Sequence, residues 1–297
     1  MGQHTALTSI DTQLDEALDR VREKTSTHAR QLELFHQQMS VAESNIQAAE
    51  DLISSRGRIV GSGARTALAD AGVPQESIDG FFVLVDEYNT AVPTESMVAE
   101  GFTDYGTQDP EYDVEAISKA WNDHHADYVG TNCRINTFTL ADSLFSVDDQ
   151  DNPNDSLLFL DQQSLDNAPD QIFDEAERAK FEAFYGNVET TMEQDPGRHI
   201  ADIKAYFKDR GIEFADTDAR VVSVFSHDPL TEPATLFIGH TGVAVPYEDG
   251  YLFLEKLAFD MPYQAVTVKD MQQLNDYLMH KYDDGPDLEY GQPIIFD

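Results

Sequence analysis

Cys133 is the single cysteine of the chain, and it stands where a loop gives way to a predicted helix. Thr131 and Asn132, directly before it, both have side chains suited to cap the start of that helix. A thiol in a first helical turn faces free backbone N–H groups and the positive end of the helix dipole, which both favour the thiolate. The same N–H groups are able to stabilise an oxyanion during acyl transfer. Cys133 is therefore a candidate nucleophile; the alternative is an inert cysteine of the core.

A nucleophilic cysteine requires a general base, and His240 is the strongest candidate among the nine histidines. It interrupts an apolar strand pattern and has Gly239 and Gly242 close by, small neighbours that leave room for a substrate or a thiol. A lone imidazole in a core strand needs a polar partner, and a satisfied core histidine is the alternative interpretation. His227 precedes an Asp-Pro turn signal and is predicted at the surface, while His280 is predicted to be a surface or capping residue of the final helix.

Glu255 occupies a position of the following strand where an apolar residue is expected. The pair Asp249-Gly250 is a strong turn signal and predicts a hairpin. That hairpin brings residue 255, or its neighbour, roughly opposite residue 240 or 241. A carboxylate bonded to one ring nitrogen of His240 would orient the imidazole and stabilise its charged form. Cys133, His240 and Glu255 therefore form a coherent candidate triad.

A second group of side chains contains residue types that bind metals. Asp123, His124, His125 and Asp127 follow in close succession, but their spacing matches no strong metal motif. Two adjacent histidines on a helix also point in different directions. A metal-dependent hydrolase that uses Asp123, His124 and His125 is therefore a further, weaker alternative.

The elements that must position these residues change type along the chain. Apolar residues recur at helical spacing up to about residue 211 and alternate with polar ones from residue 219 onward. Helices are predicted at 64–72, 74–92, 113–128, 173–192, 199–211 and 271–282, with another beginning at Cys133; strands are predicted at 219–227, 234–245, 250–259 and 263–268. This order predicts an α+β fold, in which helices pack on an antiparallel sheet.

The N-terminal part differs from the rest of the chain. Residues 9–54 show helical spacing on a polar background, which predicts a helix that packs by one face or pairs with itself. The stretch 54–63 is rich in glycine and serine and is predicted to be a linker. We therefore predict a helical N-terminal extension at 1–60, with self-association through 9–54, and an α+β domain at 61–297.

The composition excludes several classes of partner and site. Asp and Glu number 56 against 19 Lys and Arg, a formal net charge of −37, so the surface repels nucleic acid and anionic membranes. A single cysteine excludes an intramolecular disulfide and a multi-cysteine zinc site within one chain. No apolar run approaches the ~18 residues expected of a transmembrane segment, and the N-terminus has no signal-peptide pattern. These features leave the cellular location open.

Several segments resemble a known bacterial family. The stretches "GTNCRINTF", "FIGHTGVAV", "FLEKLAFDMPYQA" and "LNDYLMHKY" are similar, in that order, to domain-of-unknown-function family 4300, which occurs in Gram-positive surface and lipoprotein sequences. The resemblance includes "ALADAGVPQESIDGFFVLVDEYN" and covers roughly residues 64–297. It implies a location at the cell surface or outside the cell, and it brings no settled activity.

A more distant resemblance is to the NlpC-type papain-like cysteine peptidases. The segments "GHTGVAV" and "DGYLFLE" are similar to their histidine strand and the strand that follows, and their cysteine also begins a helix that precedes the sheet. The resemblance implies a papain-like fold with a helical insertion at about 150–218. It also implies that Cys133 is the nucleophile, His240 the base and Glu255 the orienting residue. Here Asn132-Cys133-Arg134 stands where that family usually has Asp-Cys-Ser.

These observations favour a thiol hydrolase, an amidase or peptidase that acts on an amide bond of a cell-wall peptide or peptidoglycan fragment. The backbone N–H of Cys133 and the side chain of Asn132 would hold the oxyanion, and Gln264 is a candidate for lining the substrate site. This chemistry requires no metal and no organic cofactor. The alternative is a non-catalytic cell-surface binding module on the same fold, with an ordinary or silent thiol.

Overall fold

The computed structural model describes residues 55–58, 62–98, 101–106, 108–125, 128–283, 285 and 288–297. These residues belong to one unit, which comprises residues 46–297. The helix predicted at 9–54, and the self-association predicted through it, lie outside the described residues, as does Asp127. Those expectations therefore stay predictions.

An antiparallel sheet forms the centre of the described part of the chain. The strands are β1 (Ser55–Arg58), β2 (Thr103–Asp104), β3 (Phe145–Ser146), β4 (Val188–Glu189), β5 (Glu213–Phe214), β6 (Arg220–Asp228), β7 (Thr235–Tyr247), β8 (Gly250–Lys256), β9 (Tyr263–Val268) and β10 (Ile294–Phe296). The sheet order is β10-β6-β7-β8-β9-β1-β2, with β4 also on β7, while β3 and β5 form a separate pair. The four strands predicted between residues 219 and 268 are confirmed as β6 to β9, and their pairings are antiparallel.

Helices precede and follow the long strands, so the α+β class is confirmed. They are α1 (Ser62–Asp70), α2 (Gln75–Ala91), α3 (Val114–His124), α4 (Cys133–Ala141), α5 (Phe159–Asn167), α6 (Glu175–Phe184), α7 (Pro196–Asp209) and α8 (Met271–Tyr282), with short 3-10 helices at Thr94–Ser96 and Asp142–Leu144. The segment predicted as a helical insertion, about 150–218, contains α5, α6 and α7. Among the described residues, no helix has the length and apolar character to cross a bilayer.

Both faces of the sheet are buried, which explains why its central strands have nearly continuous apolar runs. Neighbouring residues of a strand point to opposite faces. On one face, Val243 belongs to the large core cluster that includes Phe138 of α4. On the other face, Ala244 and Phe253 pack in a smaller cluster with Leu278 of α8. Helix α8 therefore covers the second face of the sheet, opposite α4.

Two helices are shorter than the periodicity predicts. The helix predicted at 173–192 ends at Phe184, and Val188–Glu189 forms a strand that pairs with β7. Gly186 lies between them, and a Cβ there would stand 2.6 Å from the hydroxyl of Tyr206, so the chain turns at a residue that must be small. The helix predicted at 113–128 ends at His124. Beyond α6 the apolar spacing continues because residues 185–188 are also buried.

Part of the predicted linker is a strand. Residues Ser55–Arg58 pair with β9, with Ser55 opposite Thr267 and Arg58 opposite Gln264. The unpaired N–H and C=O groups of a strand edge accept almost any extended segment as a partner. A stretch rich in glycine and serine therefore becomes a strand here because β9 supplies hydrogen-bond partners that local composition does not reveal.

Candidate active site

Helix α4 begins at Cys133, as the sequence predicts. Asn132 is its N-cap, and the side-chain oxygen of Asn132 accepts a hydrogen bond from the backbone N–H of Ile135 at 3.0 Å. The Cys133 thiol therefore lies in the first helical turn, where backbone N–H groups have no partner within the helix. Only 5% of Cys133 is exposed, so the thiol is almost fully enclosed.

A bulge in β7 places His240. The pairing of β6 with β7 runs from Val224 opposite His240 to Phe225 opposite Ile238, so Gly239 has no opposite residue. A bulge of this kind re-aims the neighbouring side chains. The carbonyl oxygen of Gly239 lies 4.0 Å from the Cys133 sulfur. The irregularity therefore sits where the cysteine helix meets the histidine strand.

The hairpin register lies within one residue of the predicted one. Tyr247 pairs with Gly250, so Glu255 stands opposite Gly242 rather than opposite residue 240 or 241. Glu255 is instead diagonal to His240, a separation that long side chains span. His240 Nε2 and Glu255 Oε2 are 2.6 Å apart. Gly242 does not leave space for substrate as expected, because the ring of Phe253 stands 2.5 Å from the position of an added Cβ.

The structure brings Cys133, His240 and Glu255 together, and His240 interacts with both of the others. Glu255 bonds Nε2 of His240, which leaves Nδ1 for the thiol, and Cys133 and His240 shift each other's pKa. Burial raises the pKa of Cys133, but the hydrogen bond and charge of His240 outweigh it, and the net pKa is lowered. Burial lowers the pKa of His240, but its bonds to Cys133 and Glu255 raise it overall to about 9. Both shifts favour the pair of thiolate and imidazolium over the neutral thiol and imidazole.

Glu255 is held by three donors. Its Oε1 accepts hydrogen bonds from Gln264 Nε2 and from the hydroxyl of Tyr277, both at 2.6 Å. Burial raises the pKa of Glu255, but the His240 hydrogen bond and the charge of Lys281 lower it overall to about 2. The carboxylate is therefore charged, and its orientation is set on both oxygens.

Gln264 and Asn132, the two other predicted site residues, are both buried next to the triad. Gln264 Oε1 accepts a hydrogen bond from the hydroxyl of Tyr112 at 2.8 Å, so this amide links α8 and Glu255 to the segment before α3. The amide nitrogen of Asn132 donates to Asp161 at 2.7 Å. The roles of Gln264 toward substrate and of Asn132 toward the oxyanion stay predictions.

Tyr282, at the end of α8, covers the imidazole. Its ring stacks on His240 with centroids 4.7 Å apart and an interplanar angle of 21°. His240 is 1% exposed and Glu255 2%, so the triad is screened from water. Sequence reasoning missed Tyr277 and Tyr282, since tyrosines on an amphipathic final helix give no signal that distinguishes them from ordinary core residues.

The other histidine-rich positions have different surroundings. Asp123 forms an ion pair with Lys119 at 2.5 Å, His124 bonds the backbone of its own helix, and the His125 ring packs on Trp121. Within the described residues, no group of three or more His, Cys, Asp or Glu is arranged to hold a metal. The side-chain geometry therefore does not support the metal-dependent alternative.

The predicted surface position of His227 is wrong. His227 is only 2% exposed. Strand β6 continues through Asp228, so His227 is still a residue of the buried strand and the Asp-Pro turn follows it. Its ring packs edge-on against His199, with centroids 4.3 Å apart. Burial and the charge of His199 lower the pKa of His227 to about 4. His227 is thus a neutral core residue at physiological pH.

Gly130 shapes the turn that leads to Cys133. Its φ is +87°, and an added Cβ would stand 2.7 Å from the backbone oxygen of Phe259 and 3.1 Å from the Trp121 ring. Gly130→Ala should therefore lower the free energy of unfolding by at least about 2 kcal/mol, through backbone strain and steric overlap. A thermal melt should show this as a Tm roughly 4–8 °C lower.

Gly63→Ala is the matched control, because no heavy atom lies within 4 Å of the Cβ that it adds. Gly63 is in helix α1, where alanine is preferred, so stability should stay unchanged or rise by up to about 1 kcal/mol. Equal melting temperatures for Gly130→Ala and wild type would contradict the strained turn.

Comparison with known proteins places the chain in a family and gives no further relative. No curated protein matches it, and no solved structure does. The family described as "Domain of unknown function (DUF4300)" matches residues 60–297, which include Cys133, His240 and Glu255. The chain therefore belongs to the DUF4300 family.

Proposed function

We propose that this protein is a thiol hydrolase that cleaves an amide bond with Cys133 as nucleophile, His240 as general base and Glu255 as the orienting residue. The observation that carries the proposal is the buried pair of His240 and Glu255, with 2.6 Å between imidazole and carboxylate. The Cys133 sulfur, at the start of α4, lies 4.0 Å from the carbonyl oxygen of Gly239, the residue before His240. Three such residues, drawn from a helix start and two neighbouring strands, match the requirements for nucleophilic catalysis by a cysteine.

The proposed reaction proceeds through an acyl-enzyme. The Cys133 thiolate attacks the carbonyl carbon, and the resulting oxyanion is held by backbone N–H groups of the first turn of α4. The imidazolium of His240 gives its proton to the leaving amine as the C–N bond breaks, which leaves a thioester. His240 then takes a proton from water, whose oxygen attacks the thioester carbon. The acid departs, and the sulfur returns as thiolate beside an imidazolium. Glu255 keeps the imidazole aligned throughout.

In this proposal the fold is papain-like and of the NlpC type, and the substrate is a cell-wall peptide or peptidoglycan fragment. The support is the chain order, in which the cysteine helix (α4) precedes the histidine strand (β7) and the carboxylate strand (β8), together with the sequence resemblance. Fold similarity does not determine substrate. Incubation with defined muropeptides and mass analysis of the products tests this class, and intact substrate across varied peptides would count against it.

The first test uses the single cysteine of the chain. Iodoacetamide reacts with thiolates, so wild-type protein should be alkylated at pH 6 at a rate within a few-fold of its rate at pH 8. His240→Ala removes the hydrogen bond and the charge that lower the pKa of Cys133. Its alkylation at pH 6 should therefore be slower by about tenfold or more, because an ordinary thiol has a pKa of about 8.5. Intact-mass spectrometry measures the rate.

His124→Ala is the matched control. His124 is exposed and bonds the backbone of its own helix, so the alkylation profile of this variant should equal that of wild type. Wild-type alkylation that is slow at pH 6 and rises tenfold for each pH unit would contradict the ion pair and, with it, the hydrolase.

The burial of the triad favours a second candidate function. Cys133, His240 and Glu255 are each at most 5% exposed, and such enclosure is typical of a polar network that specifies a core. A non-catalytic surface-binding module is the corresponding proposal. It predicts a thiol that is silent toward iodoacetamide at every pH in the folded protein and that reacts only after unfolding in denaturant.

A further inference from the structure

One helix of the 150–218 segment presents polar side chains to the turn before Cys133 and to the first residues of α4. Asp161, Ser164 and Leu165 form the buried face of α5, at the spacing of one helical stripe. Asp161 and Ser164 are fully buried. Ser164 donates a hydrogen bond to the backbone oxygen of Gly130 at 2.5 Å. Helix α5 is therefore attached to the start of the turn before Cys133.

The carboxylate of Asp161 binds the residues on both sides of Cys133. Its Oδ1 accepts from the Asn132 amide at 2.7 Å and from Arg134 Nε at 2.9 Å. Its Oδ2 accepts from Arg134 Nη2 at 2.5 Å. One buried carboxylate thus holds the N-cap of the cysteine helix and the first side chain after the thiol.

Arg134 extends this contact to the histidine strand. Its Nη1 donates to the backbone oxygen of Ile238 at 2.9 Å, directly before the bulge at Gly239. The guanidinium therefore joins Asp161 on α5 to the strand segment that orients His240. A planar bidentate pair of this kind sets geometry as well as charge.

We propose that Asp161 is a positioning residue of the catalytic site, which fixes the Asn132-to-Arg134 segment against the bulge of β7 and thereby places the Cys133 thiol at His240. This inference deepens the proposed function and rests on it. A buried ion pair is weak evidence for stability, because desolvation offsets its attraction. Here the ion pair between Asp161 and Arg134 fixes the position of the thiol rather than stabilising the fold. Asp161 touches no reacting atom, and it acts on the thiol through Asn132 and Arg134.

The pair also balances the charge around the thiol. Arg134 favours the thiolate of Cys133, whereas Asp161 disfavours it. With both present the two effects oppose each other, so the thiolate depends chiefly on His240. Removal of either partner leaves the opposite charge uncompensated in a buried site.

The test replaces one partner at a time and follows alkylation of Cys133 against pH by intact mass. In Asp161→Asn the guanidinium acts on the thiol without its counter-charge, so the pH midpoint of alkylation should fall. In Arg134→Gln the carboxylate of Asp161 is left without its counter-charge and disfavours the thiolate, so the pH midpoint of alkylation should rise. Opposite shifts distinguish the proposal from a merely structural role, in which any loosening of the loop moves both midpoints in the same direction.

Asp166→Asn is the matched control, because Asp166 is on the same helix and its carboxylate is exposed, with an ion pair to Arg178. Its midpoint and turnover should equal those of wild type. On a peptide amide that wild type cleaves, kcat of Asp161→Asn should fall about 100-fold, as expected for a displaced nucleophile. A lower kcat together with a lower pH midpoint of alkylation would show that the thiol is more ionised but is no longer correctly positioned.

The double variant Arg134→Gln, Asp161→Asn covers the case in which a single replacement fails to fold, because it leaves no unpaired buried charge. It should keep a midpoint close to that of wild type and still lose turnover. Midpoints that do not move, or that move in the same direction, overturn the proposal, as does full turnover in the double variant. If wild type cleaves no amide while the midpoints move in opposite directions, the hydrolase fails and the placement of the thiol by Asp161 stands.

Discussion

Cys133→Ala should abolish amide hydrolysis, with turnover at least about 10⁴-fold below that of wild type, because no acyl-enzyme is able to form. Cys133→Ser should be nearly as inactive, with a loss of about 10³-fold or more. A serine hydroxyl has a far higher pKa than a thiol, so the imidazole of His240 does not hold it ionised in the ground state. The measurement is the initial rate of amine release from a peptide amide that wild type cleaves.

Comparison of Cys133→Ala with Cys133→Ser separates loss of the nucleophile from loss of the fold. Cys133→Ser keeps the Asn132 N-cap and exchanges one sulfur atom for oxygen, so its fold should be that of wild type. Near-UV circular dichroism should show this. No second thiol exists in the chain to take over the reaction. More than one per cent of wild-type turnover in Cys133→Ala would therefore place the nucleophile elsewhere and remove the basis of the proposed mechanism.

Glu255→Gln should reduce both turnover and stability. The carboxylate bonds His240, Gln264 and Tyr277, each at 2.6 Å. An amide of the same size leaves the imidazole without the charge that orients it, so kcat should fall by roughly 10²–10⁴-fold. Loss of one partner of a buried ion pair should lower the free energy of unfolding by about 3 kcal/mol.

The stability difference between wild type and Glu255→Gln should depend on pH in a defined window. The pKa of Glu255 falls on folding from 4.5 to about 2, so its contribution is complete above 4.5 and is lost as the pH drops toward 2. The pKa of His240 rises on folding from 6.5 to about 9, so its contribution is complete below 6.5 and is lost as the pH rises through 9. The difference should therefore be largest between about pH 4.5 and 6.5.

Chemical denaturation of both proteins across pH measures this difference, and the surface carboxylates cancel because both chains carry them. Glu248→Gln is the matched control: Glu248 lies exposed in the turn of the same hairpin, so this variant makes the same change in charge without touching His240. A stability difference that stays flat from pH 3 to pH 10 would show that Glu255 and His240 are not paired as charges in the folded protein.

Much of the frame that carries the site could be predicted from local pattern. The helix start at Cys133 follows from an N-cap residue directly before an apolar stripe, and the structure has both. The pattern that predicts β6 to β9 is clear because these strands are apolar and are bounded by turn signals such as Asp249-Gly250. The same patterns misplace the end of α6, where Gly186 turns the chain. They also hide β1, because this segment is recruited by backbone hydrogen bonds to β9 rather than by its own composition.

The exact register and the supporting contacts of the triad could not be predicted in this way. The sequence predicts residue 255, or its neighbour, roughly opposite residue 240 or 241; the hairpin sets Glu255 opposite Gly242, and it reaches His240 diagonally, at 2.6 Å. Asp161 lies on a helix that contains no catalytic motif and contacts Arg134 from 27 residues away in sequence. Long-range contacts of this kind have no local signature, because any buried polar residue accepts whichever partner the packing supplies.

The sequence alone therefore determined which residue types were available: one thiol at a helix start, one imidazole in an apolar strand, and one carboxylate in the next. Residue type and period depend on neighbours within a few positions, and these are visible in the chain. Only the tertiary structure decided that the three side chains meet, that Gly239 forms the bulge beside them, and that Tyr282 and Asp161 enclose and hold them. Such meetings depend on strand register and on the packing of distant helices, where a shift of one residue moves a side chain to the other face of the sheet.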